Sequence, residues 1–182
     1  GLLAWQTVLD DRIRGCPTLA TIGDKAVVLV TTRWGMLWAI DGESGQKLWS
    51  YRAGHMADGS AAVSDQIVLF GTYDRCLHAV SLRNGKGIWK FTTQGVVVSS
   101  PAVAFINKRP VAFFSSLDDY IYCLDVSTGE KLWSHKTGKL PWPYFKRGDA
   151  VFGSPLLCQS EIGPLLIHPA HDGKIYAFKA NE

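Results

Sequence analysis

Histidine and cysteine are the residues of this chain best suited to hold a metal or act as nucleophiles, and their spacing limits what they can do. His168 and His171, in IHPAHDG, stand three apart and suggest a metal pair. Pro169 between them and the turn dipeptide Asp172-Gly173 after them make this a strand-to-turn junction, where the two rings need not converge. No third ligand stands at a fixed offset, so a structural or surface role is expected. His55, His78 and His135 are isolated. Cys16, Cys76, Cys123 and Cys158 have no CxxC spacing and no His at zinc-finger distance. They read as small buried apolar residues and leave the redox compartment open. Asp74, Asp118, Asp119 and Asp172 recur at one kind of turn, which points to turn chemistry, not catalytic carboxylates. A GxSxG elbow, a P-loop and an HExxH motif are all missing. No catalytic residue and no metal site is expected.

Binding chemistry is better represented. The segment Lys136 to Phe152, KTGKLPWPYFKRGDAVF, sets Trp142, Tyr144 and Phe145 beside Lys146, Arg147 and Asp149. Amphipathic aromatics next to cations are enriched at binding hot spots, and Pro141 and Pro143 stiffen such a loop. The alternative is that these aromatics only cover the edge of a neighbouring element. Arg147-Gly148-Asp149 spells an adhesion tripeptide, but three residues match too often by chance to carry that reading.

The elements that must position these residues come from a repeat. AIDGESGQKLW, ending at Trp49, returns as AVSLRNGKGIW ending at Trp89 and CLDVSTGEKLW ending at Trp133. Trp5 opens the chain in the same context, so successive Trp residues are 44, 40 and 44 apart. A period of about 40 to 45 residues marks a repeat architecture. Each unit starts on a small-residue triplet: Gly15-Cys16-Pro17, Gly59-Ser60-Ala61, Ser99-Ser100-Pro101 and Gly153-Ser154-Pro155. Apolar or alternating runs follow, at Ala26 to Val30, Gln66 to Phe70, Val111 to Phe114 and Leu165 to His168. A turn then leads to Met36–Ile40, Cys76–Val80, Tyr120–Leu124 and Lys174–Phe178, and a second turn carrying Gly45, Gly85 or Gly129 leads to the Trp strand. Short β-branched or aromatic runs bounded by Gly, Asp, Asn and Ser are strand and hairpin signals. No segment has sustained helical periodicity.

Four antiparallel strands per unit of this length predict an all-β fold, a β-propeller of four-stranded blades, over residues 1–182 as one domain. Trp34, Asp74 and Asp118 each precede their Trp by 15 residues, and the interval from triplet to turn is shorter in unit two. A strand over 3–9 is expected to complete a blade, giving sixteen strands. The four repeats then form either half of a seven- or eight-bladed ring or a small closed ring. In unit four the connection from Trp to triplet is ten residues longer than in the others, and the extra residues are those around Trp142.

The 182 residues are 47% hydrophobic and 19% charged, which fits a globular protein. A net charge of +3 from scattered basic residues argues against nucleic acid as a partner. No apolar run reaches a membrane-spanning length of roughly 18 residues, and residues 1–11 do not read as a signal peptide. The chain reads as beginning in mid-architecture.

AxDxxxGxxxW, preceded by an L/I-W/H/Y pair and followed by a G/S-S-P strand, resembles the PQQ-like, quinoprotein-type propeller repeat over essentially the whole chain. That family includes quinoprotein alcohol dehydrogenases, BamB-like outer-membrane assembly lipoproteins and adenylate-forming proteins with appended propellers. The resemblance implies a docking role between blades for Trp5, Trp49, Trp89 and Trp133, with Gly45, Gly85 and Gly129 shaping the pockets. It also implies a periplasmic or extracytoplasmic setting, which the residues themselves leave open. A quinoprotein dehydrogenase would need PQQ with calcium, an Asp base and in many members a vicinal cysteine pair. No Cys-Cys occurs here and no Glu/Asn/Asp set matches the metal ligands, so no cofactor is expected. The expected function is a non-catalytic module that engages a protein or small ligand through its loop face, with self-association to complete a ring as a further possibility. The alternatives are a propeller segment of a larger enzyme, either a quinoprotein oxidoreductase or an adenylate-forming enzyme, and a purely structural scaffold.

Overall fold

Gly and Asp at short intervals cut the chain into strands of three to eight residues. The computed structural model describes residues 1–138, 153–170 and 172–180, and contains fifteen strands among them. The first sheet holds β1 (Thr18–Ile22), β2 (Lys25–Thr31), β3 (Met36–Asp41) and β4 (Lys47–Arg52). The second holds β5 (Ala62–Ser64), β6 (Ile67–Gly71), β7 (Cys76–Ser81) and β8 (Gly87–Thr92). The third holds β9 (Ala102–Ile106), β10 (Arg109–Ser116), β11 (Tyr120–Asp125) and β12 (Lys131–Lys136). The fourth holds β13 (Leu156–Ser160), β14 (Gly163–Pro169) and β15 (Ile175–Lys179). Each sheet is an antiparallel meander in chain order, the form of a propeller blade. The short interval in unit two appears as a three-residue β5, against five residues in β1, β9 and β13.

The first strands of successive blades touch one another, β1 to β5, β5 to β9 and β9 to β13. Cores lie between blades. Leu29 and Leu37 of blade one meet Val68 and Phe70 of blade two. On the other face of blade two, Leu69 and Leu77 meet Phe114 and Leu124 of blade three. Val111, Phe113 and Ile121 of blade three then meet Leu166 of blade four. The middle strands of blades two and three are therefore covered on both faces, whereas β4 and β8 alternate between half-buried and exposed residues. Near the start of the first strands the blades are also joined by a polar ladder. The Cys16 amide donates to Ser60 Oγ at 2.8 Å, the Ser60 amide to Ser100 Oγ at 2.9 Å, and the Ser100 amide to Ser154 Oγ at 3.0 Å.

Trp49, Trp89 and Trp133 stand opposite Ala39, Ala79 and Cys123, and the register slips just after each of these pairs. A one-residue bulge in a ladder re-aims the side chains next to it. Here it falls at Leu48, Ile88 and Leu132, immediately before each Trp, and sets the angle at which the indole leaves the outer strand.

Two expectations meet a different outcome. The segment 3–9, expected to complete a blade, joins no ladder among the described residues, and the sheet ending in β15 has three strands there. A strand exists only with a ladder partner. This segment instead hydrogen-bonds the turn of blade one, through Trp5 Nε1 to the Gly42 carbonyl and Thr7 Oγ1 to the Gly45 carbonyl. The cysteines are free and not uniformly buried: Cys76 and Cys123 are interior, Cys158 is half-buried and Cys16 is exposed. Burial pushes the Cys123 thiol up to about 12, which keeps it protonated and inert.

Candidate functional site

The turn between the second and third strands of each blade is built alike. Gly35, Arg75, Asp119 and Gly173 all sit at positive φ, and the residue just before each is Trp34, Asp74, Asp118 or Asp172. Four residues after that position, on the third strand, stand Trp38, His78, Tyr122 and Tyr176. In blades three and four the pair is a carboxylate and a phenol. Tyr122 Oη donates to Asp118 Oδ2 at 2.7 Å and Tyr176 Oη to Asp172 Oδ2 at 2.6 Å. The same oxygens also accept the Gln94 and Gly138 amides from the preceding inter-blade connections.

Blade two replaces the phenol by an imidazole and adds a thiol between. Cys76 and His78 share one face of β7, since side chains two apart on a strand point the same way, and the turn residue Asp74 lies against that face. His78 Nε2 lies 3.3 Å from Asp74 Oδ2 and 3.1 Å from Thr72 Oγ1, and its Nδ1 meets Tyr51 Oη of blade one at 3.1 Å. Phe70 stacks on the imidazole at 5.4 Å between centroids. Thr72 Oγ1 donates to Asp74 Oδ1 in a short hydrogen bond. Cys76 Sγ is 3.4 Å from Thr92 Oγ1, and Lys90 Nζ reaches Asp74 Oδ2 at 3.5 Å. Cys76 and His78 are each 2% exposed, whereas the Lys90 side chain is half in solvent.

Burial pulls the His78 imidazole below its ordinary value despite the opposing pull of Asp74. It pushes the Cys76 thiol up. For Asp74, burial raises the carboxyl, but the Thr72 hydroxyl, His78 and Lys90 together outweigh it and hold the group below the usual range. The Asp74 carboxylate, the Cys76 sulfur and the His78 nitrogen all lie within 4.8 Å of one another. This is a donor set able to take a cation. Calcium takes six to eight oxygen ligands, and one carboxylate beside a thiol and an imidazole does not fit the calcium of a quinoprotein.

Sequence reasoning passed over this cluster because it took Asp74 as a turn residue, His78 as isolated and Cys76 as core. The close spacing of Asp74, Cys76 and His78 could have shown it. Trp142, Tyr144, Phe145, Lys146, Arg147, Asp149 and His171 lie outside the described residues. His168 is buried on β14, beside a small cavity lined by Ser99, Ser116, Asp119 and Thr137.

The indoles of Trp49 and Trp89 lie over Gly85 and Gly129 of the next blade, and Trp5 lies over Gly45 of blade one. An added Cβ on any of the three glycines would come within 2.8 Å of an indole carbon, and all three sit at positive φ. Their Nε1 groups donate to the carbonyls of Leu82, Val126 and Gly42 at 2.9, 2.9 and 3.0 Å. Trp133 instead packs on Phe113 and Phe178, beside an open cleft of about 420 Å³.

The family model of outer membrane protein assembly factor BamB matches residues 1–155. The chain belongs to the BamB family. The crystal structure of BamB from Moraxella catarrhalis superposes with a TM-score of 0.74 at 23% identity, covering 97% of this chain and 49% of that one. Outer membrane protein assembly factor BamB of Burkholderia pseudomallei is 23% identical over 120 residues, 66% of this chain and 30% of that protein. The family's kinship with quinoproteins is also visible. Quinoprotein ethanol dehydrogenase of Pseudomonas aeruginosa is 27% identical over 146 residues, 68% of this chain and 23% of the enzyme. The chain thus spans less than a third of either curated relative. The BamB propeller is the fold seen here, and no helix among the described residues is long and apolar enough to cross a membrane.

Proposed function

We propose that this chain is a non-catalytic propeller module that engages a protein partner through its loop face, in an extracytoplasmic setting. The observation that carries this reading is the match of residues 1–155 to the BamB family, whose name is that of an outer membrane protein assembly factor. Support comes from the ten-residue lengthening of the connection after Trp133, which sets aromatics and cations where the other units have a short link. Trp142, Tyr144, Phe145, Lys146, Arg147 and Asp149 form the contact surface in this reading. Trp5, Trp49, Trp89 and Trp133, with Gly45, Gly85 and Gly129, serve as docking residues that keep the blades in register.

Photo-crosslinking in cells tests the assignment. A crosslinker at position 142 or 144 captures a discrete protein adduct, and one at the exposed outer-strand position 131 does not. Adducts of equal yield at all three positions, or none at any, would sink the reading.

The similarity to quinoprotein ethanol dehydrogenase favours a second reading, a propeller segment of a larger oxidoreductase. Under it PQQ with calcium would bind. A change in quinone absorption on adding both to the purified chain would support this reading, and an unchanged spectrum would count against it.

A further inference from the structure

We infer that Asp74, Cys76 and His78 form a binding site for a divalent transition-metal cation of the zinc type, which the propeller fold itself does not require. Two of the four blades show what the fold needs at this turn. Blades three and four close it with a phenol on a carboxylate, and their residues between are Tyr120 and Lys174, neither a ligand in the way a thiol is. Blade one has Trp34, Met36 and Trp38. Blade two alone puts a ligating side chain at all three positions, and the three donor atoms converge.

Geometry and chemistry agree on the class of ion. Zinc binds carboxylate oxygen and imidazole nitrogen at about 2.0–2.2 Å and thiolate sulfur at about 2.3 Å, so neighbouring ligands in a tetrahedral shell stand roughly 3.3–3.6 Å apart. His78 Nε2 and Asp74 Oδ2 are at 3.3 Å, already at that separation. Mixed oxygen, nitrogen and sulfur donors select zinc or cobalt over magnesium or calcium.

The surroundings orient the donors as ligand-supporting groups do. Tyr51 Oη holds His78 by its far nitrogen, Nδ1, leaving Nε2 aimed at Asp74. A phenol can accept as well as donate, so this contact persists when Nε2 is ligated and the proton rests on Nδ1. Thr72 fixes the carboxylate and Phe70 fixes the ring plane. Charge balances too: the Cys76 thiol releases its proton to solvent as the Sγ–metal bond forms, and thiolate plus carboxylate neutralise the dication. Lys90, the present counter-ion of Asp74, is half-exposed and swings into solvent as the ion enters past it.

Cobalt is the probe, because a cobalt–thiolate bond gives a charge-transfer absorption that carboxylate or imidazole binding does not. The full chain, stripped with chelator and titrated with Co²⁺, should develop this band to one equivalent and lose it on adding Zn²⁺. His78→Tyr installs the residue that blades three and four carry at the same place, so the variant should keep the fold, as circular dichroism would verify. The band should vanish in His78→Tyr and in Cys76→Ser. Absence of the band from the folded wild-type chain, or its retention in either folded variant, overturns the assignment. Retention in Cys76→Ser would show that another thiol, such as the exposed Cys16, is the ligand, and retention in His78→Tyr that the imidazole is not.

Discussion

The turn of blade two and the turn of blade three occupy the same place in adjacent blades, yet they keep their carboxylates in different company. Asp118 accepts a phenol and two backbone amides and is closed by them. Asp74 meets an imidazole, a threonine hydroxyl and a half-exposed ammonium, with a thiol alongside. The difference teaches that, where a blade carries a carboxylate at this turn, the fold asks only for a donor four residues on. Tyrosine meets that demand and offers little else. Histidine meets it and leaves a ligand behind.

The comparison holds only if the frame around the two turns is the same, and the largest expected effect tests that frame. Trp49→Ala and Trp89→Ala each remove an indole and its hydrogen bond from an equivalent glycine cradle. Each should cost about 3 kcal/mol in urea unfolding, and the two losses should agree to within about 1 kcal/mol. Clearly unequal losses would mean that the blades are not interchangeable hosts. Next in size, Asp118→Ala strands the largely buried Tyr122 hydroxyl, whose proton burial and Asp118 now hold more tightly than usual. The expected loss is about 2 kcal/mol by the same assay. A smaller effect is expected from His78→Tyr in the metal-free chain, a change of less than about 1 kcal/mol, because the repeat already tolerates Tyr there. A loss as large as that at Asp118 would make His78 a structural necessity and remove the reason to see it as a surplus donor.

The smallest effect is one of pH. For Asp172, burial raises the carboxyl, but the Tyr176 hydroxyl, the Lys174 amide and ammonium and the Gly138 amide outweigh it and leave the folded value below the ordinary 3.8. A depressed carboxyl stabilises the fold fully above the unfolded value and loses that contribution as pH falls through the folded one. Thermal unfolding followed from about pH 5 to about pH 2 should therefore show a steeper decline for the wild type than for Asp172→Asn. Parallel curves would mean the carboxylate is no better held in the fold than in the unfolded chain.

Much of this architecture was legible in the residues. The Trp spacing, the glycines and the fixed interval from Asp74 or Asp118 to the next Trp read out blades, turns and their order, because a repeat states each constraint several times over. The shortened β5 was legible for the same reason, as a deviation in a counted interval. The segment 3–9 marks a limit of such reading, because a strand's pattern lies in its own residues whereas its ladder lies in another element's. The cluster at Asp74 was missed for the opposite reason. Reading a repeat rewards what recurs, and the informative residue here is the one place where Tyr becomes His. The proposed contact face around Trp142 rests on extra length and unusual composition alone, since nothing in the other units states what that connection should look like.

The ladder from Cys16 to Ser154 also has a direction. Every amide that donates belongs to the earlier blade and every hydroxyl that accepts belongs to the later one, and the indole hydrogen bonds of Trp49 and Trp89 run the same way. A chain emerging from the ribosome thus leaves each finished blade with an unsatisfied amide and an uncovered tryptophan, waiting for its successor. Partners stand only 33 to 54 residues apart, so the wait is short and the loop to be closed is small. Assembly can proceed as laying tiles does, each new course locking the exposed edge of the one before.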